Sequence, residues 1–206
     1  MTVNEAADNT QTSRSRLLNA GKTLFGKNGY EQTSTAAIAR EAGSSESQLI
    51  RYFGGKQGLL EAIFNEAWSA LNETVPAQID AAQHGRDAIL RLLLLMGQAL
   101  GRDHDIAFLF LFEGRRPRGA THDVTISKGY VKFMEVLDSL IQRGMADGSF
   151  RNDLDPKVLS AAMLGAAEGM IRDRVLAERN NQPSPFDDAS IVKTFTAMVN
   201  GLAPRA

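Results

Sequence analysis

An all-α fold of about nine helices is what this sequence predicts, and three observations carry it. Apolar residues recur at helical spacing along almost the whole chain. No stretch alternates with the period of two that a strand requires, and no repeat of fixed length is present. Glycines, prolines and capping residues fall between the periodic runs, where helices would end and begin. The chain has 206 residues, 43% hydrophobic and 23% charged, which suits one or two packed domains. It has no cysteine, so disulfides and thiolate metal sites are excluded, in keeping with a reducing cytoplasm. The longest apolar runs, 88–96 and 106–112, are broken by charge or fall short of the roughly 18 residues a membrane helix needs. The first 16 residues lack the apolar core of a signal peptide.

Taken in order, residues 1–12 are polar and read as a disordered tail. Over 14–28, Leu17, Leu18, Gly21, Leu24 and Phe25 share one helical face, and Gly29 supplies the stop. The "TST" at 33–35 offers N-caps to a short helix that Gly43 ends. "SSES" opens another, closed by Gly54 and Gly55. A longer helix follows over 57–79, with Leu59, Leu60, Ile63, Phe64, Trp68 and Leu71 as its stripe. Pro76 is expected to kink or stop it. Strongly apolar runs at 86–101 and 104–113 come next, then a turn-rich loop at 113–123 with three arginines. Periodicity resumes over 125–146. Asp155 followed by Pro156 is a clean start for a helix over 156–179, and 188–202 forms the last. The expected organisation is a tail (1–12), a three-helix head (13–57) and a larger helical body (58–206).

Charge is unevenly placed. Residues 12–56 hold seven Lys/Arg against three acids, a net of +4, leaving −5 for the rest of a chain whose total is −1. A basic head on an acidic body points to a polyanion at the front of the chain.

Two short helices joined by a tight glycine turn, the second polar at its start, form a helix-turn-helix signature. Ile38 and Ala39 pack the first helix inward. Leu49 and Phe53, four residues apart, hold the second to the core. Its front then projects outward, and a major groove about 12 Å wide admits such a helix.

The run "GYEQTSTAAIAREAGSSESQLIRYFGGKQGLLEAIF" (29–64) resembles the DNA-binding domain of TetR-family transcriptional regulators. It supplies Gly29-Tyr30, Thr33-Ser34, Ile38-Ala39, Ala42-Gly43, Leu49, Phe53, Lys56 and Leu59-Leu60 at that family's pattern positions. The resemblance implies that Thr33, Ser34 and Thr35 meet phosphate at the start of the second helix, and that Lys56 is a phosphate clamp. It makes Ser45, Glu46, Ser47 and Gln48 the base readers: glutamine pairs bidentately with adenine, and glutamate accepts from cytosine N4. Each has a purely structural rival. Ser45 and Gln48 have capping-box spacing, Glu46 suits the helix dipole, and Thr33 or Ser34 is an N-cap whether or not DNA is near. The family commonly carries tyrosine where this chain has Ile50, and its hydroxyl meets a phosphate. Arg51 and Tyr52 stand beside Ile50 and are expected to provide contacts in its place, although Tyr52 equally suits packing.

The resemblance further implies a homodimer on a palindromic double-stranded operator, through the last two helices. Gly165, Ala166, Gly169, Met170, Phe195, Met198 and Val199 are the expected dimer face, with packing inside one subunit as its rival. A small apolar or aromatic effector is expected in the body, among Trp68, Met96, Phe108, Leu109, Phe112, Met134, Leu137 and Met163. Arg115 and Arg116 are candidates to meet an anion. No catalytic, metal or cofactor site is expected. Glu-x-x-His pairs, a P-loop, Gly-x-Ser-x-Gly and a dinucleotide fingerprint are all missing from the sequence. Asp103, His104 and Asp105 read as a polar helix start. The expected function is a ligand-responsive transcriptional regulator in the cytoplasm, most simply a repressor. A helical interaction or small-molecule-binding module with vestigial DNA binding is the alternative.

Overall fold

A computed structural model describes residues 3–114 and 127–204, with side chains from Ser13 onward. Among the described residues there are nine α-helices, one π-helical turn and no strand: α1 (Val3–Asn28), α2 (Thr35–Glu41), α3 (Glu46–Phe53), α4 (Lys56–Asp80), α5 (Gly85–Arg102), α6 (His104–Phe108), the π turn Leu109–Glu113, α7 (Lys128–Ala146), α8 (Pro156–Arg179) and α9 (Asp188–Asn200). None of these helices is long and apolar enough to cross a membrane. The chain folds as two compact units that divide inside α4, after Ala67.

The first unit contains α1–α3, the start of α4 and the π turn. Its core is the predicted set: Leu17, Phe25, Ile38, Leu49 and Leu59 are fully buried, and the Phe25 and Tyr30 rings lie 5.3 Å apart. Close packing is built in at Gly21, where an added Cβ would stand 2.7 Å from the Leu59 side chain. Phe53 is only half-buried, so Leu49 alone anchors α3 fully. The helix α1 begins at Val3, where the sequence reading places a disordered tail. No glycine or proline occurs before Gly21 to interrupt it.

The second unit packs α5 against α7 and places α8 and α9 beside them. Ala88, Ile89 and Leu92 of α5 are buried, as are Phe133, Leu137, Leu140 and Ile141 of α7. Trp68 packs on Phe133 and Tyr130, with ring centroids 5.2 and 5.8 Å away. The predicted start of α8 is realised: the Asp155 carboxylate accepts from the N–H groups of Lys157 and Val158, with Pro156 in the first turn. Asp103 Oδ1 accepts from Ile106 N–H at 3.0 Å, so that cluster does serve a helix start.

Pro76 does not stop α4, which continues through it to Asp80. A proline removes one helical hydrogen bond at a cost of about 3 kcal/mol. Burial of Val75 and Ile79 on either side opposes that loss.

Candidate nucleic-acid interface

The exposed front of the helix-turn-helix follows from two caps. Ser34 Oγ accepts from Ala37 N–H at 3.1 Å and starts α2, while Ser45 Oγ accepts from Gln48 N–H at 3.2 Å and starts α3. The capping box at Ser45 is only half made, since the Gln48 side chain accepts from the Ser44 hydroxyl instead. Gly54 ends α3 in the left-handed region, φ +72°, with its N–H on the Ile50 carbonyl at 2.7 Å.

The candidate DNA residues then sort themselves by exposure. Ser45, Glu46, Ser47 and Arg51 are exposed, and Gln48 and Tyr52 are half-buried. Ser34 is exposed at the start of α2. Thr33 does not join it. Its hydroxyl is buried and donates to the carbonyls of Gly29 (2.8 Å) and Leu24 (3.2 Å), so it fixes the turn after α1. Thr35 donates to Glu46 at 2.5 Å and couples the start of α2 to the first turn of α3. Lys56 is also partly committed: its ammonium donates to the Tyr30 carbonyl at 3.0 Å and lies 4.2 Å from the Tyr30 ring centroid. An ammonium carries three donors, so the contact positions this cation without exhausting it. Arg51 and Tyr52 form one unit, through a 3.1 Å hydrogen bond to the phenol and a guanidinium 5.0 Å from its ring centroid. Ile50 is 57% exposed between them and buried Leu49.

Sequence reasoning missed two supports of this surface. Arg16 Nε donates to the Ala42 carbonyl at 3.0 Å, and Arg14 stands 5.2 Å over the Phe53 ring. Both read in the sequence as charge alone. Their separation from α2 and α3 along the chain left no local signal of contact.

In the second unit, a mostly apolar cavity of about 220 Å³ lies among α5, α7, α8 and α9. Met96, Leu137 and Met163 of the expected effector residues line it, together with Phe133 and Phe195. Trp68, Phe108, Leu109, Phe112 and Met134 do not. Phe108 and Phe112 stack with each other in the first unit at 4.8 Å, and Leu109 is fully buried there. The cavity's polar lining is Gln98, Thr196 and the ion-paired Arg174 and Asp188. Arg115 and Arg116 lie outside the described residues.

A family model described as bacterial regulatory proteins, tetR family, matches residues 17–63. A second, described as the YsiA-like protein C-terminal region, takes over at once and matches residues 64–187. This chain belongs to the TetR family. It is a DNA-binding transcriptional regulator. Relatives of this TetR-family chain include a fatty acid metabolism regulator protein of Bacillus subtilis, 21% identical over 80% of this chain and 84% of that one. Another is the transcriptional repressor KstR2 of Rhodococcus jostii, 25% identical over 69% of this chain and 70% of that one. Among solved structures, the fatty acid degradation regulator FadR from Bacillus halodurans superposes with a TM-score of 0.81 at 20% identity, covering 92% of this chain and 95% of that one. FadR from Bacillus subtilis in complex with stearoyl-CoA gives 0.78 at 17% identity, covering 92% and 99%. These likenesses establish a shared all-α fold.

The expected dimer face of this TetR-family chain divides in two. Phe195 and Val199 are 4% and 0% exposed within the subunit and belong to its own core. Gly165 and Met198 are exposed, and Ala166, Gly169 and Met170 are half-buried. An added Cβ at Gly165 would meet nothing within 4 Å, and one at Gly169 only the Arg172 side chain at 3.8 Å.

Proposed function

We propose that this chain is a cytoplasmic homodimeric repressor. Its two α3 helices read the halves of a palindromic operator, and a small apolar or aromatic effector releases it. The observation that carries the reading is the exposed front of α3, Ser45 to Gln48 with Arg51, presented by a helix-turn-helix on a basic head. One recognition helix touches few base pairs, so a two-fold pair gains both affinity and length of readout. Ser34 at the start of α2 and Lys56 at the start of α4 are assigned to phosphates. Thr33 is assigned to the turn. Dimerisation is assigned to the α8 surface of Gly165, Ala166, Gly169 and Met170, with Met198 of α9.

The effector acts by differential affinity. It favours the state whose heads do not fit the operator, by no more than its preference between the two states. The apolar lining of the body cavity supports an apolar effector, as does the stearoyl-CoA complex of the Bacillus subtilis FadR structure. No catalytic role is assigned to any residue.

A gel shift with the DNA upstream of the protein's own gene tests the reading. Specific, salt-sensitive binding to a palindrome is expected. Absence of specific binding at physiological salt would overturn it.

A further inference from the structure

The body cavity has one feature that an ordinary apolar void lacks. Arg174 of α8 lines it, and its side chain is only 9% exposed. A guanidinium offers five N–H donors and accepts nothing. One terminal nitrogen is ion-paired with Asp188 on the first turn of α9. The Nε is buried without a hydrogen-bond partner; the nearest anionic oxygen, Glu178 Oε1, stands 3.8 Å away. Buried donors are nearly always satisfied, and leaving one unmet is costly.

The surrounding charge decides what kind of acceptor fits. Asp188 and Glu178 flank the guanidinium, and Glu178 is itself 3.1 Å from His104 Nδ1. The positive charge is therefore already matched by carboxylates. A third carboxylate brought in by a ligand would meet like charges at close range, whereas a neutral oxygen would take the free N–H without disturbing the ion pair.

Gln98 and Thr196 are the other polar residues of the lining, and the rest, including Leu90, Leu93, Phe133 and Ile191, is apolar; Arg174 differs from both in carrying a buried donor with no partner. The volume of about 220 Å³ exceeds the roughly 150 Å³ of an apolar cavity known to admit benzene. It holds a ring with a short substituent. Gly97 on α5 also lines it, and a Cβ there would meet nothing within 4 Å. The glycine leaves this space open.

We infer that the cavity among α5, α7, α8 and α9 binds an uncharged apolar molecule bearing a carbonyl, with the Arg174 Nε–H donating to that oxygen. This rests on the effector reading above and gives the effector its chemistry. It also assigns Arg174 a second task. Through Asp188 the same guanidinium ties α8 to the start of α9, so the ligand's oxygen sits on a contact between two helices.

Direct binding of three probes with one skeleton tests this: acetophenone, ethylbenzene, which lacks the acceptor, and benzoate, which carries the charge. By titration calorimetry on the full chain, acetophenone is expected to bind about tenfold more tightly than ethylbenzene, the worth of one hydrogen bond to a charged donor. Benzoate is expected to bind more weakly than either. Arg174→Lys keeps a cation for Asp188 but loses the Nε donor, so it should erase the preference for acetophenone over ethylbenzene, with an unchanged circular dichroism spectrum and cooperative thermal melt as the check on folding. Gly97→Phe fills the space and should abolish binding of all three. Equal affinity for acetophenone and ethylbenzene in the wild type overturns the role of Arg174. Tightest binding by benzoate overturns the neutral ligand. No binding, or binding untouched by Gly97→Phe, overturns the site. These measurements use no DNA, so their failure is separate from that of the repressor reading. A gel shift on the same samples shows whether operator binding survives and whether acetophenone relieves it.

Discussion

Ile50 is the residue at which this head departs most clearly from its family's pattern. A β-branched side chain left 57% exposed on a helix of eight residues is turned largely away from the core of the subunit. It is flanked by buried Leu49 on one side and by the Arg51–Tyr52 pair on the other. On the proposed role of α3 as the groove-reading helix, an exposed apolar group there has one base feature to match, the thymine methyl. In an operator with one thymine per half-site replaced by uracil, the dimer loses two methyls, and this is expected to cost the wild type about 1.6 kcal/mol, or about fifteenfold in affinity, for one of the thymine positions. Ile50→Ala should bind the two operators equally. If every thymine-to-uracil change is neutral for the wild type, Ile50 reads no base. The hydroxyls at 33–35 show what remained illegible at this scale. Threonine and serine cap, bind phosphate or close a turn with the same group. The choice between Thr33 and Ser34 is made by backbone direction after Gly29, which the residue types do not encode.

At the scale of the element, the signals that proved legible were those in which a residue type has a single mechanical use. Asp155-Pro156 starts α8 because a carboxylate accepts from free N–H groups and proline has none to lose. Pro76 and Gly58 were not legible, because both depend on what stands across from them. Gly58 lies in the first turn of α4, where an added Cβ would fall 1.8 Å from the Phe53 carbonyl oxygen. That contact sets how closely α4 follows α3. Gly58→Ala, which in an open helix would stabilise, is therefore expected to lower head stability by about 1–3 kcal/mol, measured by denaturant melts. An unchanged midpoint would show that the turn relaxes freely. The α7 end makes a second such joint. Asp147 accepts from Gly85 N–H at 2.7 Å and Ser149 N–H at 2.9 Å, with His84 at 3.9 Å. Desolvation raises its pKa, but hydrogen bonds from Ser149 and Gly85, aided by His84, bring it below the ordinary 3.8. A depressed folded-state pKa stabilises in full above the unfolded value, and the gain is lost as pH falls through the folded value. Asp147→Asn should thus cost about 1 kcal/mol near neutral pH, and the difference from wild type should vanish in acid below the usual carboxylate range. A gap that persists unchanged into that acid range would remove the carboxylate from the account.

For the whole molecule, the distinction hidden from the sequence is between apolar residues that fill a core, line a cavity or meet a second copy. In the proposed dimer all three share helical spacing. Met96 and Leu137 line the cavity, Leu109 is plain core, and Phe195 and Val199, expected at the dimer face, are buried in their own subunit. Glycine exposure separates the third class. Gly165 costs α8 helical stability and saves no clash within the subunit, because a Cβ there meets nothing. A helix has little reason to carry such a residue unless another surface approaches it closely. An isologous two-fold contact brings the same patch of both copies together, so a charge placed there faces its own image. Gly165→Glu is expected to keep or slightly raise the thermal stability of the isolated subunit while turning the dimer into monomers, read by sedimentation at micromolar protein. Operator affinity should then fall by on the order of a hundredfold, as binding of the second half-site loses its intramolecular advantage, whereas binding to an isolated half-site should change little. A Gly165→Glu protein that still sediments as a dimer would move the interface off this face of α8.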